Sequence, residues 1–184
     1  EISLGLVGSE MCIRDRVEEL TNAIRQEKRS TRELYTSIDE RLGKFEPREV
    51  EVNGEKVMVQ PQEQAAYDAA VELLKAGDYK KAAAAFSTFG AEWPKSAYAA
   101  DAVYWRGSCL FALEQYKSTI NVQNSLIRSY PKHPRVADAM ISVASSQAAL
   151  GNVKAASATL AKVIKQYPNS DAAKTAAQLQ KTLK

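Results

Sequence analysis

The chain contains a single histidine, His133, and only two cysteines, Cys12 and Cys109, among its 184 residues. One histidine does not support most acid–base schemes, and two distant cysteines form neither a disulfide framework nor a spaced zinc set. No Ser-His-Asp set, glycine-rich phosphate loop or long apolar run is recognisable. We therefore predict a protein that is not an enzyme, has no catalytic residues, holds no cofactor or metal, and is not inserted in a membrane.

The most regular feature of the chain is a repeat. The aromatic–proline pairs Trp93-Pro94, Tyr130-Pro131 and Tyr167-Pro168 follow one another at intervals of 37 residues. A constant period of this size indicates an array of similar units, and proline ends each unit because it cannot continue a helix. Small residues suited to close helix packing share the period, at Ala70, Gly107 and Ala144. The start of a second helix also recurs, at Tyr79, Tyr116 and Val153.

The period divides the region into three copies, Gln64–Tyr98, Asp101–Arg135 and Asp138–Ala172. Their order of small residue, alanine, large apolar residue and proline resembles the tetratricopeptide repeat, whose usual unit has about 34 residues. A last helix over Asp171–Leu183 has an alanine and leucine side that can cap the third copy. Residues 63–184 are thus predicted to form an all-α tetratricopeptide-repeat superhelix of three helical hairpins plus a capping helix. Repeat two departs from the pattern at Thr119 and Gln123.

Charge is distributed unevenly along the chain. Residues 65–184 contain 15 Lys and Arg against 8 Asp and Glu, whereas residues 1–64 contain 10 against 14. A basic repeat region is compatible with an acidic partner or a phosphate backbone. The lysines are spread over all the predicted helices, however, which favours an ordinary solvated surface. We therefore predict a protein-binding array without a nucleic-acid partner.

Residues 1–16 differ from the rest of the chain. Their sequence, EISLGLVGSEMCIRDR, has glycines in an apolar stretch, no helical period and an abrupt change to a charged helix at Val17. It resembles translated adapter sequence, and we predict a non-native artefact in place of the true N-terminus. The alternative is a signal-peptide remnant, which fits less well because the stretch has no basic start and no small-residue cleavage site.

Residues 17–45 are predicted to form a charged helix with a narrow apolar seam. The seam follows a partial seven-residue period, at Val17, Leu20, Ile24, Leu34, Ile38 and Leu42. A lone helix of this kind has little to bury, so a self-associating coiled coil is favoured. The alternative is a helix that packs back on the repeats.

Residues 46–62 change to a two-residue period. Val50 and Val52 precede Asn53-Gly54, and Val57 and Val59 follow it. Asn-Gly between alternating runs predicts a β-hairpin, here with Val52 opposite Glu55 and all valines on one side. Because an isolated hairpin is only marginally stable in water, it either docks on another element or forms a partly ordered linker.

The order of coiled-coil helix, proline-bounded linker and three repeats resembles the cell division coordinators of the Tol-Pal system, the YbgF/CpoB family. The resemblance is carried by sequence segments at Glu63–Ala70, Gly77–Ala82, Trp93–Ser96, Asp101–Gly107, Ala137–Met140 and Tyr167–Ser170. The linker segments Phe45–Arg48 and Val59–Glu63 share it. In all, it covers residues 17–184.

The resemblance implies a periplasmic scaffold that self-associates through its N-terminal helix, with a trimer as one candidate state. It implies binding to TolA and to a penicillin-binding peptidoglycan synthase with its lipoprotein activator. These contacts would coordinate outer-membrane constriction with septal peptidoglycan synthesis during cell division. It also implies a signal peptide, which the sequence does not show. The alternative is another envelope tetratricopeptide scaffold, such as an outer-membrane protein assembly lipoprotein, which would need a lipidated cysteine.

The first helix of each repeat is expected to line a concave groove for a partner. The predicted groove residues are Tyr67, Val71, Leu74, Lys75, Asp101, Tyr104, Ser108, Phe111, Asp138 and Ile141. Aromatic and aliphatic side chains on one face are typical of grooves that accept an apolar helix face or an extended peptide. For Leu74 and Phe111 the sequence leaves open whether they belong to the groove or to the core.

Overall fold

The structure is a computed structural model that describes residues 2–43 and 45–183, with side chains from residue 11 onward in those ranges. Glu1, Lys44 and Lys184, which fall in the predicted segments 1–16, 17–45 and 63–184, lie outside the described residues. The chain divides into two compact units, Glu1–Glu46 and Pro47–Lys184.

The first unit contains one long helix, α1 (Ile2–Leu42). The helix runs without interruption through the predicted boundary at Val17, so no break in secondary structure separates residues 2–16 from residues 17–42. Charged, helix-favouring residues dominate its second half. The non-native origin of residues 1–16 stays a prediction.

The second unit begins with the predicted β-hairpin, β1 (Arg48–Val52) and β2 (Glu55–Val59). The antiparallel register pairs Val52 with Glu55 and Val50 with Val57, as the Asn-Gly turn predicts. Asn53 and Gly54 both have positive φ, at 53° and 85°. The valines share one side, on which Val52 and Val59 are buried. The hairpin is therefore docked on the repeats and is not a free linker.

Three helical hairpins and a final helix complete the second unit. Their bounds are α2 (Pro61–Lys75), α3 (Tyr79–Glu92), α4 (Ala99–Ala112), α5 (Tyr116–Ser129), α6 (Val136–Ala149), α7 (Val153–Gln166) and α8 (Asp171–Thr182). The second helices start at the three residues that the period marks. The turns within the hairpins contain one residue of positive φ each, at Gly77, Glu114 and Gly151.

The unusual residues of repeat two form a matched pair in its core. A Cβ added at Gly107 would overlap Nε2 of Gln123, so the fully buried Gln123 side chain occupies the space that the glycine leaves. Gln123 Nε2 donates to the carbonyl oxygen of Tyr104 at 3.2 Å. Its Oε1 is buried without a hydrogen-bond partner among the described residues. Repeat three has Ala144 and Leu160 at the equivalent positions.

This pairing predicts opposite outcomes for a single and a double substitution. We expect Gly107→Ala to lower the free energy of unfolding by about 1–3 kcal/mol, because the new methyl group overlaps Gln123. The double variant Gly107→Ala/Gln123→Leu recreates the alanine–leucine pair of repeat three and removes the unpaired Oε1. We expect it to be at least as stable as the parent in urea denaturation. A double variant no more stable than Gly107→Ala would contradict the pairing.

Candidate protein-binding surface

The first helices of successive units lie side by side, α4 against α6 and α6 against α8. Between them is a cleft of about 340 Å³, whose described lining residues all come from these three helices. We call it the first-helix cleft. It is lined by Tyr104, Ser108, Phe111, Asp138, Ile141, Ser142, Ser145, Asp171, Ala172 and Thr175. A surface of this kind can take up a peptide segment or one face of a helix.

The structure brings half of the predicted groove residues together in this cleft, namely Tyr104, Ser108, Phe111, Asp138 and Ile141. They come from two repeats and converge because the 37-residue period places equivalent residues on neighbouring first helices. Their role in partner binding stays a prediction. The first-helix cleft also includes Asp171 and Thr175 of α8, which the sequence reasoning assigned only to a cap.

Phe111 is the most exposed aromatic side chain of the cleft, at 36%. Its ring packs edge-on against Tyr116, with centroids 5.5 Å apart, and this contact fixes its position while one side stays open to solvent. Phe111 therefore belongs to the surface. Leu74, the other residue left open by the sequence, packs half-buried against the core of repeat one.

Tyr67 and Val71 are half-buried against the same core and lie outside the first-helix cleft, so their predicted role in partner binding stays a prediction. The Tyr67 ring stacks on Tyr98 at 4.5 Å and meets the ring of Phe89 edge-on at 5.6 Å. Burial, with Asp101 nearby, raises the pKa of Tyr67 to about 12. Tyr98, which comes after the turn that ends repeat one, covers one face of the Tyr67 ring. Lys75 is exposed and pairs with Glu72 at 2.8 Å.

Asp101 is a buried residue, which differs from its predicted place in the groove. The sequence predicts it among the groove residues that bind a partner, but only 5% of the residue is exposed. Arg135 Nε donates to its Oδ1 at 2.6 Å, and Asn53 Nδ2 donates to its Oδ2 at 2.9 Å. His133 Nε2 lies 3.1 Å from Asn53 Nδ2 and 3.6 Å from Asp101 Oδ2. Asp101 thus joins the hairpin tip to α4 and to the turn before α6.

One wall of the first-helix cleft is positioned by the Asp101 cluster, which consists of Asp101 with Asn53, His133 and Arg135. The Arg135 guanidinium carbon lies 4.9 Å from the ring centroid of Tyr104 and 4.6 Å from that of Trp105, distances typical of cation–π contacts. Burial, with Asp138 nearby, raises the pKa of Tyr104. Because Asp101 holds Arg135, and Arg135 packs on Tyr104, the hairpin and the cleft are physically connected. No local pattern signals this connection, since Asn53 and Asp101 are 48 residues apart.

The apolar seam of α1 is a second candidate surface. Its members Val17, Leu20, Ile24, Leu34, Ile38 and Leu42 are each 40–60% exposed in the single chain. Leucine and isoleucine side chains in a row on one helix are normally covered by another element. Their exposure is what a coiled-coil partner would remove.

Other kinds of site have little support in the part of the chain that the structure describes. No three His, Cys, Asp or Glu side chains there are arranged to hold a metal ion. None of the described helices is long and apolar enough to cross a membrane. Cys109 is buried, and burial raises the pKa of its thiol to about 11, which keeps it protonated and unreactive.

The repeat region is similar in sequence to known proteins. Residues 59–184, which include every helix from α2 to α8, match the YfiO family, described as outer membrane lipoprotein. The chain belongs to this family. Within it the protein is CpoB-like, since Cell division coordinator CpoB of Pseudomonas putida is 49% identical over 41 residues. That match covers 22% of this chain and 15% of the curated relative.

Solved structures similar to this YfiO-family chain include tetratricopeptide-repeat domains. PcrH from Pseudomonas aeruginosa has a TM-score of 0.58 at 14% identity, covering 69% of this chain and 95% of PcrH. The second such domain of human RPAP3, solved with the HSP70 peptide SGPTIEEVD, has a TM-score of 0.55 at 17% identity, covering 65% and 95%. These likenesses confirm the predicted all-α superhelix with an N-terminal helix. The family description and the partial match to CpoB indicate a tetratricopeptide protein of the cell envelope.

Proposed function

We propose that this YfiO-family protein is a periplasmic adaptor that binds TolA and coordinates outer-membrane constriction with septal peptidoglycan synthesis. The name of the curated relative, a cell division coordinator, supports this role, and the shared segment is 49% identical. The further partners would be a penicillin-binding synthase and its lipoprotein activator, as in the family that the sequence resembles. The adaptor acts by binding, without catalysis of its own.

The observation that carries the proposal is the first-helix cleft. It offers an exposed aromatic ring at Phe111, a half-buried Ile141 and several hydroxyl groups on one face. Apolar anchors beside polar groups are the usual composition of a peptide-binding groove. The RPAP3 domain, whose fold this chain shares, was solved with a bound peptide. We place the TolA segment in this cleft.

The seam of α1 supports a second part of the proposal, self-association into a homo-oligomer. The six exposed seam residues repeat along about seven turns of one helix, and a second copy of the same seam is their simplest cover. Several copies of the repeat unit on one stalk would bind a multivalent partner with increased avidity.

Truncating the exposed aromatic ring tests the cleft. We expect Phe111→Ala to weaken binding of purified TolA by roughly tenfold, because exposed aromatic anchors carry much of the energy of such interfaces. Isothermal titration calorimetry measures the affinity, and circular dichroism checks that helicity is unchanged. Val153→Ala, which trims an exposed apolar side chain at the start of α7 outside the cleft, is the matched control. Equal affinities for all three proteins would contradict the proposal.

A second candidate function is an outer-membrane protein assembly lipoprotein. The match of residues 59–184 to a family described as outer membrane lipoprotein favours it. Affinity purification of the natural full-length protein from envelopes separates the two candidates. Recovery of outer-membrane assembly proteins without TolA, together with incorporation of labelled palmitate, would favour the lipoprotein.

A further inference from the structure

The first-helix cleft has a charge opposite to that of the domain around it. Two of its lining residues, Asp138 and Asp171, carry carboxylates, and none of the lining residues that the structure describes is Lys, Arg or His. The rest of the lining is hydroxyl-bearing or apolar. Residues 65–184 as a whole contain 15 basic against 8 acidic residues. The cleft is therefore a local negative site on a positive domain.

Lys174 and Arg135 contact lining residues of the cleft but do not cancel this charge. Lys174 Nζ lies 2.8 Å from Asp171 Oδ1, but both side chains are exposed, and such surface pairs contribute little and are exchanged easily. Arg135 packs on Tyr104, yet its charge is taken up by the buried Asp101. Asp138 is exposed and forms no ion pair with any residue that the structure describes.

We propose that the first-helix cleft selects a cationic peptide segment. A lysine or arginine of the partner would contact Asp138 and the free carboxylate oxygen of Asp171, while a neighbouring apolar side chain would pack on Phe111. Complementary charge of this kind determines which partner is accepted and increases the association rate. An acidic peptide, such as the SGPTIEEVD segment bound by the RPAP3 domain, would bring carboxylates against carboxylates. This inference rests on the proposed function, because it assigns a partner class to the same cleft.

Two fluorescent peptides test the charge preference on the full chain. Both carry the same leucines and alanines, and they differ only in having three lysines or three glutamates. We expect fluorescence anisotropy to give at least a tenfold tighter Kd for the lysine peptide at low salt, with the difference decreasing as salt screens the contacts. The net charge of the chain, +3 at pH 7, favours the glutamate peptide, so a preference for lysine must come from a local site.

Charge-neutral substitutions assign the preference to the cleft. We expect Asp138→Asn/Asp171→Asn to reduce the tenfold preference to less than threefold. Glu92→Gln, which removes an exposed charge at the end of α3, should leave it intact. Equal affinity for the two peptides, binding of neither, or an unchanged preference in the double variant would overturn the inference. A different result would contradict the proposed function and leave this inference intact. In that case Phe111→Ala leaves the affinity for TolA unchanged, while the lysine peptide still binds at the carboxylates of Asp138 and Asp171.

Discussion

Asp101→Ala is expected to lower the free energy of unfolding by about 2–4 kcal/mol, a large fraction of the stability of a domain of this size. The substitution leaves Arg135 without its carboxylate at 2.6 Å and Asn53 without its acceptor at 2.9 Å. Removing one partner from a buried charged pair costs more than the pair contributes, because the remaining groups stay desolvated. Arg135 is one-third exposed, which keeps the effect below that of a fully buried pair.

The repeat itself provides the matched control for this experiment. Asp138 is the equivalent residue one period later, but it is exposed and lies in the cleft. We expect Asp138→Ala to change the free energy of unfolding by less than about 0.5 kcal/mol. Urea denaturation of both variants measures the difference. Similar small decreases in the free energy of unfolding for the two variants would mean that the Asp101 cluster does not anchor the hairpin.

Removal of α1 is expected to convert an oligomer into a monomer. We expect the full chain to sediment at a whole multiple of 20.2 kDa, and residues 47–184 to sediment as a single chain. The physical reason is the exposed seam, whose isoleucine and leucine side chains have no cover within the described part of the first unit. Sedimentation equilibrium of the two proteins at the same concentrations gives the masses.

Two point variants distinguish the contribution of the apolar seam from that of the rest of α1. Ile38→Glu places a charge in the seam, whereas Thr36→Glu places the same charge on the far side of α1. We expect the first to dissociate the oligomer and the second to leave it intact, with equal helicity in both. Monomeric mass for the unmodified full chain would contradict self-association outright.

Features set by neighbouring residues were predictable from the sequence. Asn53-Gly54 determines the hairpin register because both residues accept positive φ, and the bond pattern results from that turn alone. The prolines and glycines of the repeats likewise define where helices begin and end, and the second helices start at the predicted residues. The 37-residue period then gives the fold, since each hairpin can bury its apolar side only against the next.

Features set by distant residues were not predictable. The period treats Tyr67 and Tyr104 as equivalent, but the Tyr98 ring stacks on the first and the Arg135 guanidinium packs on the second. Of the two, Tyr104 lines the first-helix cleft. Asp101 and Asp138 are equivalent in the same way, yet the docked hairpin makes the first a buried anchor. Gln123 departs from the repeat pattern, and the reason is that its side chain fills the space beside Gly107. In each case the deciding contact joins residues far apart in the chain.

Site-directed photocrosslinking shows whether the partner occupies the first-helix cleft. A photoreactive phenylalanine analogue replaces Phe111 in the full chain, where an aromatic ring already lies exposed. The same analogue at Ala158, exposed on α7 outside the cleft, serves as the reference. We predict that irradiation with TolA gives a crosslinked product from position 111 and none from position 158. A product from position 158 alone, or from neither position while TolA still binds, would contradict the claim.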